Sequence, residues 1–329
     1  MTPSQATAPH PPDAVFDASA VNPAFAAQVL EGLSAHPKRI PSTWFYDQRG
    51  SELFEQITEL GEYYLTRTET ALLRSLYGEF AKLTAGAAII EFGSGSSRKT
   101  PLLLDALRAP ASYTAIDISG DFLRQSVRGL QLRYPRLDVH ALEADFSAPL
   151  HWPAALAAAV QAQPRIGFFP GSTIGNFTPE QAVRFLHGAA AFLGPGAQLL
   201  VGVDGTQDKA RLIPAYDDAR GVTAAFNRNL LTRINRELGA DFNPQAFRHV
   251  ARFDPTHSRV EMHLLSPMPQ TVRLLGQRFQ FDAGETLHTE NSYKYPVSMF
   301  QQLAHSAGWK PQKHWLAADA DVAMHLLQR

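Results

Sequence analysis

The stretch "AAIIEFGSGSSRKTPLLLDAL", residues 87–107, decides how the rest of the chain is read. It opens on an apolar run of the kind that forms a strand buried on both faces, turns at Gly93 and Gly95, and continues as a helical segment. Strand, glycine turn and helix in that order aim backbone N–H groups and a helix N-terminus at whatever lies over the turn. A dinucleotide fingerprint would place a third glycine three residues after the second. That position is Arg98, a long side chain where helix and strand must come close, which argues against a nicotinamide dinucleotide. An ordinary strand-to-helix turn would also use small residues here, so the turn by itself leaves the ligand open.

Downstream, "YTAIDIS", "DVHALEAD", "RIGFFPG" and "AQLLVGVD" follow the first strand, roughly one every 25 to 30 residues with helical segments between. That rhythm predicts a parallel sheet of βαβ units. "VSMFQQLAHSAG" reads as a helix, and "WKPQKHWLA" with "DVAMHLLQR" as a terminal hairpin. Residues 206–294 break the rhythm. A helical stretch, "AYDDARGVTAAFNRNLLTRINREL", is followed by runs that read as antiparallel strands, "HVARFDPTHSRVEMHLLS" and "TVRLLGQRFQF". Upstream of the glycine turn, "SELFEQITEL" and "TRTETALLRSLYGEFAKL" have helical spacing, with Thr66 and Glu69 in a capping-box pattern. We therefore expect a flexible leader over 1–14, a discontinuous substrate-binding domain over 15–67 and 206–294, and a cofactor domain over 68–205 and 295–329.

Composition narrows the function classes. A chain of 329 residues with 45% hydrophobic residues can bury a sizeable core, and a formal net charge of -1 provides no broad basic field for nucleic acid or an anionic membrane. The absence of cysteine excludes a disulfide frame, a thiolate zinc site and a thiol nucleophile, and suits a reducing compartment such as the cytoplasm. No run of apolar residues is long enough to span a bilayer. The twelve histidines show no paired spacing with a carboxylate, so no metal is predicted.

The chemistry lies at the ends of the predicted parallel strands, where open α/β sheets bind ligands. Glu91, two residues before Gly93, matches the first motif of class I methyltransferases, whose cofactor S-adenosylmethionine carries an amino-acid end in place of a pyrophosphate. Asp117 ends the second strand, where a carboxylate suits both ribose hydroxyls. Asp145 and Phe146 end the third, where a carboxylate accepts the adenine amino group and a ring stacks on the base. Lys99, in the first turn of the following helix, can pair with the methionine carboxylate. Any one of these acids could instead cap a helix, and the three in register make the stronger case. A terminal helix and hairpin after the fifth strand also fits the class I methyltransferase arrangement. The predicted fold class is thus α/β, a Rossmann-like methyltransferase domain with an inserted α+β substrate-binding domain.

Five blocks, "IPSTWFYDQRGSELFEQITELGEYYLTRTE", "EFGSGSSRKT", "FFPGSTIGNFTP", "AYDDARGVTAAFNRNLL" and "HTENSYKY", together resemble the histidine Nα-methyltransferases of ergothioneine biosynthesis, from about Ile40 to the C-terminus. The resemblance implies trimethylation of the α-amino group of L-histidine to hercynine by a monomer, with S-adenosylmethionine converted to S-adenosylhomocysteine. It implies cofactor contacts at Gly93, Lys99, Asp117, Asp145 and Phe146. It also implies that Asn176 and Tyr216 hold the substrate carboxylate, that Tyr63 contacts the imidazole region, and that Glu290 and Ser292 bond the ring nitrogens. Met262 is implied as a pocket wall, and plain strand packing would explain it equally. Relatives of this fold methylate tryptophan derivatives, and a non-catalytic cofactor-binding protein is a further alternative. Methyl transfer from a sulfonium needs alignment more than a nucleophilic side chain, so Asn176 is expected to orient substrate and the Tyr46 hydroxyl to be a candidate proton acceptor.

Overall fold

The computed structural model describes residues 21–319 and 321–329. The expected leader over 1–14 lies outside them. The N-terminal segment forms α1 (Pro23–Ser34), α2 (Gln48–Thr58), α3 (Tyr64–Ser75) and the single turn α4 (Tyr77–Phe80). Asn22 caps α1 by accepting from the N–H groups of Ala24 and Phe25, and Asp47 caps α2 by accepting from that of Gly50. The capping box expected from Thr66 and Glu69 does not form. The helix already starts at Tyr64, so Thr66 lies inside it, and Glu69 is fully buried against partners distant in sequence. Those partners satisfy the carboxylate better than a local N–H exposed to water could. The division drawn between 67 and 68 falls inside α3.

The alternating part follows as β1 (Ala88–Phe92), α5 (Thr100–Leu104), β2 (Ser112–Asp117), α6 (Gly120–Arg133), β3 (Asp138–Glu143), α7 (Ala154–Gln161), β4 (Arg165–Phe169), α8 (Pro179–Leu193) and β5 (Gln198–Asp204). These five strands pair parallel. The central ones are apolar almost throughout: Ile89, Ile90, Phe168, Phe169, Leu199 and Leu200 are all completely buried. Each such side chain contributes roughly 1.5–3 kcal/mol of burial.

The chain then forms α9 (Lys209–Tyr216) and α10 (Val222–Leu238), where the sequence reading had one continuous helical stretch. The break has a local cause. Gly221 adopts a left-handed φ of 71°, and Asp218 accepts from the N–H groups of Val222 and Thr223, restarting the helix and leaving Tyr216 at the end of α9.

Next come β6 (Arg248–Asp254), β7 (Arg259–Leu265), the hairpin β8 (Gln270–Leu274) and β9 (Gln277–Phe281), and β10 (Thr286–Tyr293). Strands β10, β7 and β6 form an antiparallel sheet in that order. The chain ends with α11 (Val297–Ser306), β11 (Lys310–Leu316) and β12 (Val322–Gln328). The main sheet has the order β11-β12-β5-β4-β1-β2-β3, with β12 antiparallel to both its neighbours.

The N-terminal segment docks on the inserted one. Ile40 donates its N–H to the His288 carbonyl, and His288 donates to that of Lys38, at 2.9 Å each, so the segment adds a short parallel bridge beside β10. Asn229 on α10 donates to the Asp47 carboxylate at 2.8 Å. The cap of α2 is thereby fixed from the insert.

Candidate active site

A cavity of about 950 Å³ lies at the ends of β1, β2 and β4 and extends to β7, β10 and the N-terminal helices. Every site residue expected from the sequence lines it: Tyr46, Tyr63, Gly93, Lys99, Asp117, Asp145, Phe146, Asn176, Tyr216, Met262, Glu290 and Ser292. One space is therefore bounded by both sets of residues.

On the side of the parallel sheet, Gly93 has a φ of +66°, and a Cβ there would come within 3.3 Å of the Phe146 ring. Glycine thus supplies both the turn and the room. The Phe146 ring meets Phe169, Phe177 and Phe185 edge-on, which fixes its plane. Asp117 accepts from the N–H groups of Gly95 at 2.9 Å and Ser119 at 3.0 Å, leaving further lone pairs free. Burial raises its pKa, and those N–H donors oppose the rise. Asp145 engages one carboxylate oxygen with the N–H and hydroxyl of Ser147 and keeps the other. Arg98 does not crowd the turn: its guanidinium reaches out to Glu55 at 3.0 Å and Glu59 at 3.2 Å on and just after α2.

Glu91 lies beneath the turn, accepting from the hydroxyls of Thr100 and Tyr113, and burial pushes its carboxyl up to about 7. Lys99 stands immediately before α5 and not in its first turn, and its ammonium is paired with Glu69 at 2.5 Å. Glu69 also accepts the N–H of Gly171 at 2.8 Å, tying α3 to the turn after β4. The Ser94 hydroxyl is buried without a partner among the described residues. Free carboxylate lone pairs, an orphan hydroxyl, a lysine and an aromatic face form a donor and acceptor set that fits a nucleoside joined to an amino acid, as S-adenosylmethionine is.

On the opposite side, β10 brings Glu290 opposite Met262 and Ser292 opposite Val260, after a bulge between His288 and Glu290. Glu290 is 8% exposed, and its carboxylate makes no hydrogen bond to any described residue. Burial pushes it up to about 8, with Lys294 pulling the other way. Since the ordinary value is 4.5, the folded chain holds this proton more tightly than the unfolded one. Its stabilisation is complete below the unfolded value and is lost as pH climbs through the folded one. The melting temperature should therefore fall between about pH 5 and 8 more steeply than in Glu290→Gln, and equal slopes in a calorimetric pH series would contradict this assignment.

Tyr216 shares a 2.6 Å hydrogen bond with Ser292, and both hydroxyls accept from the fully buried Lys294, at 2.9 and 3.0 Å. Lys294 also donates to Asp204 at 2.8 Å, and Tyr64 donates to the same Asp204 oxygen at 2.6 Å. Burial, the largest single influence, would lower the lysine pKa, but Asp204, Tyr216 and Tyr64 together outweigh it and the ammonium is held charged. Tyr63 lies edge-on to Tyr216 with ring centroids 6.3 Å apart. Burial, then Glu290 and Asp117, raise the Tyr46 pKa, so that hydroxyl stays neutral and does not act as a phenolate. Asn176 ends a 3-10 turn (Thr173–Asn176) seated against β10, where a Cβ on Gly175 would fall 2.6 Å from the Tyr293 carbonyl oxygen.

Tyr64, Asp204 and Lys294 were not singled out as site residues from the sequence, and Glu69 was read only as a capping residue. A signal existed for Glu69, an acid on the apolar stripe Leu65, Leu72 and Leu73 of α3, and for Asp204 at the end of an apolar strand.

Comparison with known proteins agrees with this chemistry. Residues 25–329 match the model of the family described as histidine-specific, S-adenosylmethionine-dependent methyltransferase. The chain is 41% identical over 304 residues to the histidine N-alpha-methyltransferase of Mycobacterium tuberculosis, covering 91% of this chain and 92% of that one. It is 41% identical over 307 residues to the protein of the same name from Mycolicibacterium smegmatis, covering 92% and 94%. The N-methyltransferase imqF of Aspergillus flavus is 30% identical over 315 residues, covering 92% and 84%. A match over nearly the whole length, carried by a chain whose sheet and cavity already suit a sulfonium nucleoside, makes this protein a member of the histidine-specific S-adenosylmethionine-dependent methyltransferase family.

Proposed function

We propose that the chain transfers methyl groups from S-adenosylmethionine to the α-amino nitrogen of L-histidine, giving Nα,Nα,Nα-trimethyl-L-histidine (hercynine), the first step of ergothioneine biosynthesis. The observation that carries this reading is Glu290: a buried carboxylate with no hydrogen-bond partner among the described residues, facing the cavity. Such a group is costly to keep and is matched by a ligand that brings a ring nitrogen to it. Asn176 and Tyr216 hold the substrate carboxylate, Tyr63 and Met262 flank the ring, and Glu290 with Ser292 bonds its nitrogens. Gly93, Asp117, Asp145 and Phe146 receive the nucleoside, and Lys99 the methionine carboxylate. The segments 15–67 and 206–294 act together as the substrate-binding part, in line with the bridge between Ile40 and His288.

When bound, the cofactor supplies an electrophilic methyl carbon on a sulfonium. The chain's own work is alignment: Asn176 and the Tyr216 end of the pocket hold the amino acid so that its neutral amine lies in line with the carbon–sulfur bond. A carbon–nitrogen bond would form as that bond breaks; each of the first two transfers would leave a proton on nitrogen that must depart before the next, and the third would give the quaternary nitrogen with no proton to lose. Tyr46 as a neutral hydroxyl passes each departing proton to solvent. A free α-amino group titrates at roughly 8, so no strong base is required.

Incubating the purified chain with S-adenosylmethionine and, separately, L-histidine, Nα,Nα-dimethylhistidine, L-tryptophan and L-arginine tests the reading by product mass. Histidine should gain three methyl groups and dimethylhistidine one. Transfer to tryptophan alone would overturn the substrate assignment and leave the cofactor assignment standing.

A further inference from the structure

Lys294 does not line the cavity, yet it is completely buried, and its ammonium spends all three protons, on Asp204, Tyr216 and Ser292. An ammonium is a donor only, so each hydroxyl must turn a lone pair toward it. The two hydroxyls also share one hydrogen bond, which consumes one of their two protons. A single hydroxyl proton is left for the cavity. Tyr216 and Ser292 therefore cannot both donate to a ligand while the triangle is intact.

We propose that Lys294, held by Asp204, is a positioning residue that sets hydroxyl polarity in the substrate pocket, so that Tyr216 donates to the substrate carboxylate and Ser292 accepts a ring N–H. The inference rests on the histidine reading above. A carboxylate can only accept, so it claims the one free proton through Tyr216. Ser292 must then donate to Tyr216, and its remaining lone pair faces the ring. The pocket thereby selects the ring form with N–H toward Ser292 and leaves the second ring nitrogen to Glu290. Asp204 is the last residue of β5 in the cofactor sheet, and Tyr64 on α3 bonds the same carboxylate, so the polarity is anchored on two elements outside the strand that carries Ser292.

The test uses the S-adenosylhomocysteine-loaded protein and compares affinity for L-histidine with that for histamine, which keeps the ring and amine but lacks the carboxylate. Lys294→Met should weaken histidine about tenfold, the size of one charge-assisted hydrogen bond, and leave histamine within about twofold. The charge-balanced pair Lys294→Met with Asp204→Asn removes the uncompensated buried carboxylate and should show the same split if the single variant folds poorly. Equal loss for both ligands with cofactor affinity intact would make Lys294 a purely structural residue and overturn the proposal, as would no change for either. Failure of the unsubstituted protein to bind histidine would instead overturn the underlying substrate reading.

Discussion

Replacing Glu290 by alanine should cut kcat/KM for L-histidine by roughly a hundredfold, the cost of removing a hydrogen-bond partner from an ionisable ring in a buried pocket. The same change should raise the melting temperature of the ligand-free protein near pH 8. This opposite sign follows from the carboxylate's situation: it is buried, pushed up to about 8, and without a hydrogen bond to any described residue, so above its unfolded value it costs folding stability. A group that costs stability and supports turnover belongs to the ligand. The cofactor affinity should not change, because Asp117, Asp145 and Lys99 stand on other elements. Steady-state kinetics with histidine and a thermal melt decide it together. Loss of both activity and stability would mean that Glu290 holds the fold, and unchanged activity would remove it from the substrate site.

Glu69→Ala should lower stability by about 3 kcal/mol and weaken S-adenosylmethionine binding as well. The carboxylate is fully buried, pairs with Lys99, and accepts the N–H of Gly171, so its loss strands a lysine that is 18% exposed and an unpaired backbone donor. Its place is reserved by Gly202, since a Cβ there would fall 1.8 Å from the carboxylate oxygen. Lys99 then loses the partner that aims it into the cavity. The double variant with Lys99→Met should recover part of the stability, because no uncompensated charge remains, and should recover none of the cofactor affinity. Titration with S-adenosylhomocysteine and chemical denaturation read the two effects separately. A stability unchanged in Glu69→Ala would show that the ion pair is not worth its desolvation.

Periodicity, glycine placement and strand-end acids were enough to anticipate the parallel sheet, the terminal hairpin and the cavity-lining residues Gly93, Lys99, Asp117, Asp145 and Phe146, whereas Tyr63, Asn176, Tyr216, Met262, Glu290 and Ser292 came from the family resemblance. Those features are local: a buried strand must be apolar along its length, a tight turn needs glycine, and a ligand-binding acid follows its strand at once. The break before α10 was equally local, because Asp218 and Gly221 carry the cap and the left-handed residue, but it was overlooked under a continuous helical pattern.

What tertiary structure alone decided is where charges separated by long stretches of sequence meet. Glu69 resembles a capping residue in its own helix and becomes the partner of Lys99, 30 positions away, and Lys294 finds Asp204 at a separation of 90. No helical or strand period encodes such a pairing. It exists because chain segments folded from different parts of the sequence exclude water around the same few ångströms, and there a lone charge must find its opposite.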